Sequence, residues 1–214
     1  MINFIPIFPL EIVVYPGEEL NLHVFEPRYR ELIEECTNSS KPFGIPIILK
    51  NNLNELGTLV EITEISKKHL NGDLDIKTKG SKIFRILEII KEVPDKLYSG
   101  AIVNYPQNKE DSGKKALMQA LIKSVKELHR VLNVTKDFKK PEDKLNTYDL
   151  AHHAGLSVEQ EYEFLGLFQE AQRQEFLKRH LAKVLPMLAE MEILKEKVKL
   201  NGHFKNLSAS GFEL

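Results

Sequence analysis

The fold is decided by a stretch of 25 residues that reads IPIFPL at positions 5–10, VYPG at 14–17 and FEPRY at 25–29. Pro6 and Pro9 have no amide proton to donate to a β-ladder, so the extended chain around them belongs at a sheet edge or in a crossing between sheets. Pro27 suits the first turn of a helix, where its missing amide is tolerated. The stretch therefore predicts a strand, a turn, a second strand and the start of a helix.

The chain from residue 1 to residue 107 has the short apolar runs and frequent turn residues of a β-rich subdomain. Apolar and polar residues alternate over 20–25, and apolar positions at helical spacing predict one short helix over 28–36. Asn71 and Gly72 predict a hairpin because both residues tolerate a positive φ. Further strands are predicted over 43–49, 57–65, 74–78, 82–93 and 98–105.

Beyond the polar segment 108–113 the apolar period changes from about two to about 3.6, which marks the best internal boundary. A shorter helix over 145–153 is predicted to end at Gly155. Ser157 and Gln160 have the spacing of a capping box, so another helix should begin at residue 158. The first helix of this part is predicted over 114–132, with one face formed by Leu117, Leu121, Val125, Leu128 and Leu132.

The last predicted helix covers residues 170–199 and carries a long apolar stripe. Its apolar positions are 177, 181, 184, 188, 191, 194 and 198. Pro186 predicts a kink because it lacks an amide proton and its ring crowds the preceding turn. We therefore predict an α-helical subdomain over 114–200, a flexible tail over 201–214 and an α+β fold class.

Composition narrows the class of protein. The 214 residues include 30 basic and 31 acidic ones, so no global charge would hold the chain to nucleic acid or to an anionic membrane. Cys36 is the only cysteine, which excludes an internal disulfide framework and a cysteine-rich zinc site. The N-terminus has no basic segment followed by an apolar core, and no apolar run approaches the ~18 residues of a membrane span. We expect a cytoplasmic protein with no membrane contact.

The order of these motifs resembles the N-terminal, substrate-binding domain of Lon ATP-dependent proteases. The first matching block is the opening stretch, with Ile7 and Tyr15 where the family has leucine and phenylalanine. The other blocks are GTLVEI at 57–62 with the hairpin and KGSKIFRI at 79–86, and LSVEQ at 156–160 with the helix after it. The resemblance implies a PUA-like pseudo-barrel with one short helix, followed by a helical bundle. It also implies capture of unfolded or tagged proteins, and it assigns no catalytic residue.

The sequence does not contain the enzymatic modules of a complete Lon protease. A phosphate-binding loop needs Gly-x-x-x-x-Gly-Lys followed by Ser or Thr. The nearest approach, Gly113-Lys114, has Asn108 at the first glycine position and Lys115 at the hydroxyl position. The SASG segment at 208–211 echoes a peptidase nucleophile loop, but no fold follows it to supply a lysine. We expect a stand-alone, non-enzymatic domain without catalytic residues, metal ligands or cofactors.

Side chains that could carry chemistry have simpler structural interpretations. His152 and His153 are adjacent and point about 100° apart on a helix, whereas metal ligands on one helical face need i, i+4 spacing. Cys36 falls on the apolar face of the first helix, so core packing is favoured over a nucleophilic role. Glu26 and Arg28 are interpreted as stabilising the start of that helix rather than as a catalytic pair.

Two surfaces leave a binding function open. Lysine clusters at 67–68, 114–115 and 136–140 suggest nucleic-acid binding, but the acidic residues beside them make a solvated surface the simpler explanation. The apolar stripe is assigned to packing against the helix over 114–132, because most apolar helical stripes belong to a core. A partner protein or weak self-association is the alternative for this stripe.

The leading hypothesis is a non-catalytic module that recognises unfolded or extended polypeptide, or a partner protein, in the service of proteolysis or quality control. By the resemblance, exposed apolar surface on the β part or between the two parts would hold the peptide. The alternative is a PUA-like nucleic-acid-binding protein that acts through its lysine clusters, and a third class, an enzyme, is disfavoured. The sequence leaves the substrate-binding residues unassigned.

Overall fold

The computed structural model describes residues 2–109 and 113–203, with side chains up to residue 200. The first part contains six strands and one helix: β1 (Ile2–Pro6), β2 (Glu19–Val24), α1 (Pro27–Ser39), β3 (Phe43–Leu49), β4 (Asn52–Lys68), β5 (Leu74–Ile90) and β6 (Gly100–Asn104). The described residues of the second part form four α-helices, α2 (Lys115–Val131), α3 (Thr147–Ala151), α4 (Val158–Leu165) and α5 (Glu170–His203), and a short 3-10 helix at Glu142–Lys144. The predicted α+β class is confirmed. No helix in the described ranges is long and apolar enough to cross a membrane.

The opening stretch joins the two edges of the sheet. The strands are antiparallel in the order β1-β6-β5-β4-β3, and β2 pairs with the first residues of β5. Beyond β1 the chain runs beside β3, where the Phe8 amide donates to the Gly44 carbonyl at 2.8 Å and the Ile48 amide donates to Leu10 at 2.7 Å. Both edges are therefore connected through residues 5–10, which agrees with the edge or crossing position predicted from the prolines.

The hairpin between β4 and β5 uses glycine where a positive φ is needed. Gly72 has φ +88°, and its amide donates to the His69 carbonyl at 3.0 Å. Asn71 is not among the residues with positive φ, so only one residue of the predicted pair needs this conformation. The hairpin itself lies where the sequence placed it.

One long strand replaces two predicted ones. The strands expected over 74–78 and 82–93 form a single strand, β5, because Gly80 does not interrupt the pairing with β4. The pairing shifts register next to Gly80, between Leu59 and Val60. A Cβ at Gly80 would lie 2.2 Å from the carbonyl oxygen of Tyr15, so glycine is needed for this close approach of two chain segments.

The helical part follows the predicted periodicity closely. Its first helix, α2, buries Met118, Leu121, Ile122, Val125 and Leu128, whereas Leu132 is 48% exposed. The capping box that starts α4 is present, with Ser157 and Gln160 bonding each other's backbone amides. The long helix α5 is also confirmed and continues through Pro186 to His203, while its kink stays a prediction.

The two parts share one hydrophobic cluster. Residues of α2, α3, α4 and α5 pack in this cluster together with Val13, Tyr15, Ile47, Leu56 and Ile83 of the β part. The division into 1–107 and 114–200 stays a prediction, because packing alone does not separate the two parts. The first three residues of the predicted tail continue α5, and residues 204–214 lie outside the described ranges.

Candidate functional site

The VYPG motif of the opening stretch anchors the β part to the helical part. Tyr15 is 1% exposed, and its ring lies 5.3 Å from that of Tyr148 and 5.8 Å from that of Phe164. Its hydroxyl donates to the carbonyl of Glu161 at 3.3 Å. Burial and the nearby carboxylates of Glu161 and Glu18 raise the pKa of Tyr15 well above its usual range, so the hydroxyl stays neutral.

His152 bridges the same two parts through an ion-pair network. Its Nδ1 lies 2.7 Å from Glu161 on α4, and its Nε2 lies 3.1 Å from Glu18, which follows the VYPG motif. Burial on its own would lower the pKa of His152, but the hydrogen bonds and charges of the two carboxylates raise it to about 9. The imidazolium form therefore holds the two parts together at neutral pH.

We expect His152→Gln to change the pH dependence of stability. The pKa of His152 rises from 6.5 to about 9 on folding, so its contribution is complete below about pH 6.5 and is lost as the pH rises to about 9. Its side chain is 31% exposed, so we expect a loss of about 1–2 kcal/mol at pH 6 and little at pH 9.5. Urea unfolding of both proteins across this range measures the difference. An equal loss at both pH values would contradict the ion-pair account.

His153 has the opposite electrostatic setting. Its ring packs against Phe138 at 5.0 Å and His129 at 5.3 Å, and its Nδ1 is buried with no hydrogen-bond partner. Burial, with the coulombic effect of Lys136 and of the neighbouring imidazoles, lowers the pKa of His153 to about 4. Neither His152 nor His153 belongs to a three-residue cluster of ligand atoms in the described ranges. The structure therefore gives no support to a metal site at this pair.

The contacts of Tyr15 and His152 form a joint between the β part and the helical part. A groove of about 460 Å³ opens beside this joint, between the VYPG loop and the α2–α3 connection. Its walls include Phe138 and Tyr148, but most of its charges are neutralised locally. Lys140 pairs with Asp149 at 2.7 Å, and Lys139 lies 3.5 Å from Glu19. The pairs of Lys139 with Glu19 and of His152 with Glu18 cross from the helical part to the β part, so this groove is better suited to joining the two parts than to holding an apolar peptide.

A larger open groove of about 680 Å³ lies between α4 and α5. Its floor is mainly apolar and includes Leu167, Ala171 and Phe176, while its rim carries Glu163, Glu175, Arg179 and Lys183. From residue 171 to residue 183, α5 rises about 18 Å, enough for about five residues of extended chain. The apolar stripe predicted for α5 does not include this surface, because its floor residues are not stripe positions such as 177 and 181.

The apolar stripe of α5 divides into a buried half and an exposed half. Leu177 and Leu181 are almost fully buried, and Val184 and Leu188 pack at the margin of the shared cluster. Further along, exposure reaches 55% at Met191, 62% at Leu194 and 63% at Val198. Internal packing thus accounts for the first half of the stripe only.

The positions of Cys36, Glu26 and Arg28 fit structural rather than catalytic roles. Cys36 is 4% exposed in the core beneath α1, and burial raises the pKa of its thiol to about 11. It therefore lacks the thiolate character of a reactive cysteine. Arg28 pairs with Glu26 at 2.7 Å and lies over the Tyr29 ring at 4.5 Å, although the Glu26 side chain makes no capping hydrogen bond.

The lysine clusters lie on different elements: residues 67–68 end β4, residues 114–115 begin α2, and residues 136–140 connect α2 to α3. Gly113 and Lys114, the nearest match to a phosphate-binding loop, lie just before α2. The Lys114 amide donates to the Gln174 side chain at 2.8 Å. That amide is thus already satisfied within the fold. The SASG segment at 208–211 lies outside the described residues.

A cluster of candidate ligands at the end of the sheet was not predicted from the sequence. His23 on β2, His69 before the hairpin and Asp75 on β5 bring three ligand atoms within 4.8 Å of one another. His23 and Asp75 face each other in the β2–β5 register, which the sequence alone does not reveal. The hairpin at residues 71–72 was the available signal, because it predicts that the chain on either side of the turn comes together.

Comparison with known proteins identifies the family. Residues 5–190 match the model of the ATP-dependent protease La (LON) substrate-binding domain. The chain belongs to this family. Lon substrate-binding domains are non-catalytic recognition domains for protein substrates, so the non-enzymatic interpretation of the matched region is confirmed. No curated protein sequence matches the chain.

Two solved Lon N-terminal domains have the same fold. A Lon N-terminal domain protein from Xanthomonas campestris is 25% identical, with a TM-score of 0.63 over 83% of this chain and 98% of that one. The N-terminal domain of Lon protease from the Mycobacterium avium complex is 15% identical, with a TM-score of 0.61 over 86% of this chain and 100% of that one. The predicted Lon-type fold is therefore confirmed across both parts of the chain.

Proposed function

We propose that this Lon-type domain recognises extended, apolar segments of unfolded protein through the groove between α4 and α5. The observation that carries the proposal is the apolar floor of Leu167, Ala171 and Phe176, which remains open to solvent in a folded domain. Burying apolar peptide side chains there would contribute roughly 25 cal/mol per Å² of apolar area. Membership of a substrate-binding family supports protein as the class of ligand.

The rim of the groove suits a ligand that varies in sequence. Glu163 and Glu175 stand with Arg179 and Lys183 around the apolar floor, so both signs of charge are within reach of a bound chain. Such a rim does not exclude acidic or basic flanking residues, whereas the floor selects for apolar side chains. Broad recognition of unfolded chains needs this combination.

The groove differs in place from the expected site. The family resemblance predicts peptide binding on the β part or between the two parts, where exposed apolar residues such as Ile2, Phe4 and Leu87 do occur. We favour the helical groove because its apolar residues form one concave floor, which encloses a side chain better than single exposed residues do. We further propose that the protein works in a cytoplasm of bacterial type, alongside proteolysis or quality control.

The test uses Ala171→Glu, which places a carboxylate on the apolar floor without removing a core side chain. Ala171 is exposed, so the domain should keep its stability. Binding of fluorescently labelled, unfolded casein should weaken at least about tenfold, because bound apolar side chains would desolvate the new charge. Fluorescence anisotropy measures the dissociation constants.

The matched control is Ala189→Glu, which makes the same substitution at an exposed position of α5 outside the groove. This variant should bind like the unmodified protein. Equal weakening in both variants, or no binding of unfolded protein by the unmodified domain, would refute the assignment. A shift of labelled RNA at low salt that vanishes as salt rises would favour the nucleic-acid alternative instead.

A further inference from the structure

We propose that His23, His69 and Asp75 form a Zn²⁺ site at the hairpin end of the β part. The three side chains come from β2, the entry to the hairpin and the start of β5. Their ligand atoms lie within 4.8 Å of one another. Two imidazole nitrogens and a carboxylate oxygen are a common ligand set for zinc with a fourth position left open.

The backbone holds these residues close to one another. His23 and Asp75 are directly opposite in the antiparallel β2–β5 register, where facing Cβ atoms lie about 5 Å apart. His69 is fixed by its amide, which donates to the Asp73 carbonyl at 2.9 Å, and by its carbonyl, which accepts from the Gly72 amide. The tight turn therefore presents its histidine to the same point as the paired strands.

The side-chain geometry is close to that of a metal centre. Nδ1 of His23 lies 2.6 Å from Oδ1 of Asp75, and Nε2 of His69 lies 2.8 Å from Oδ2 of the same carboxylate. In a tetrahedral zinc site with bonds of about 2.0–2.1 Å, the ligand atoms stand about 3.4 Å apart. The carboxylate would need to withdraw by about 0.8 Å from His23 and about 0.6 Å from His69, and its side chain is 35% exposed, so it has room to move.

A second carboxylate, that of Asp73, lies behind one of the candidate ligands, at an ion-pair distance just beyond that of a hydrogen bond. Nε2 of His23, on the opposite side of the ring from the Asp75 contact, lies 3.6 Å from Oδ2 of Asp73. Asp73 is itself held by Asn71 at 2.7 Å and lies 3.9 Å from Arg30. A carboxylate behind a ligating histidine fixes the ring and raises its basicity.

The simpler alternative is a hydrogen-bonded histidine and carboxylate network that only fastens the hairpin to β2. The two interpretations differ in their response to zinc. Bound Zn²⁺ would replace both His–Asp75 hydrogen bonds with coordination bonds, link β2 to the hairpin and stabilise the native state. A network without metal would respond to zinc no more than any exposed histidine does.

The experiment measures Zn²⁺ binding to untagged full-length protein by isothermal titration calorimetry, with histidine ring ¹⁵N chemical shifts as the site readout. We expect one tight site, with shifts at Nδ1 of His23 and Nε2 of His69. The variants His69→Gln and Asp75→Asn should each weaken binding by at least about 10–100-fold. Circular dichroism checks that both variants remain folded.

The matched control is His129→Gln, which removes an imidazole outside the cluster and should leave zinc affinity unchanged. Absence of binding at 100-fold excess zinc would overturn the proposal. So would binding that survives both cluster substitutions, because the metal would then be adventitious. The site is remote in sequence from Ala171, so Ala171→Glu should bind zinc normally whichever way the peptide experiment turns out.

Discussion

Replacing Arg173 with methionine is expected to reduce the free energy of unfolding by about 3–5 kcal/mol. Arg173 is 0% exposed, and its guanidinium pairs with Glu170 at 2.9 Å. The substitution leaves the carboxylate of Glu170, itself 4% exposed, without its counter-charge inside the protein. Urea unfolding followed by circular dichroism measures the loss.

Arg173 stabilises more than one element because its donors reach several segments. The guanidinium donates to the Asn108 side chain at 2.8 Å and to the Leu167 carbonyl at 2.7 Å, and it lies over the Tyr148 ring at 4.2 Å. It thereby joins α3, the start of α5 and the segment that follows β6. Methionine can fill much of the volume but satisfies none of these acceptors.

Two controls separate the effect of the unpaired buried charge on stability from the effect of lost packing. Arg179→Met makes the same change on the same helix at an exposed ion pair with Glu175, and it should alter stability by no more than about 0.5 kcal/mol. The double variant Glu170→Gln with Arg173→Met should be more stable than Arg173→Met alone, because no uncompensated charge remains. Additive losses in the double variant would contradict the electrostatic explanation.

Arg173 also shows what the sequence could not predict. Charged residues on an amphipathic helix are normally assigned to the solvated face, since a lone buried charge is unfavourable. Glu170 lies one turn earlier on the same helix, but the burial of Arg173 also depends on Thr147 and Asn108, which are distant in sequence and which only the tertiary structure brings to it. The candidate metal cluster was missed for the same reason, because strand register places His23 opposite Asp75.

Local constraints, in contrast, were predictive. Pro6 and Pro9 limited the opening segment to an edge or a crossing, and Ser157 with Gln160 located the start of α4, because each effect acts within a few residues. Apolar periodicity gave the face of α5 but not how much of it is covered. Leu177 and Met191 occupy equivalent positions in the pattern, yet one is buried and the other is 55% exposed.

Replacing Tyr15 with alanine is expected to destabilise the protein by about 3–5 kcal/mol and to weaken the joint between the two parts. The ring fills the space between Tyr148 and Phe164, so its removal leaves a cavity in the cluster shared by both parts. It also removes the hydroxyl that donates to the backbone carbonyl of Glu161 on α4, the residue whose carboxylate pairs with His152. Urea unfolding measures the loss, and limited proteolysis reports separation of the two parts.

Tyr15→Phe is the matched control, because it keeps the ring and removes only the hydroxyl. It should cost about 0.5–1.5 kcal/mol, the value of one hydrogen bond. Gly80→Ala tests the joint from the opposite side, since its Cβ would displace the Tyr15 carbonyl and with it the VYPG loop. If Tyr15→Ala cost no more than Tyr15→Phe, the ring would not anchor the helical part. The motif would then serve the β part alone, as a turn after the crossing between its two edges.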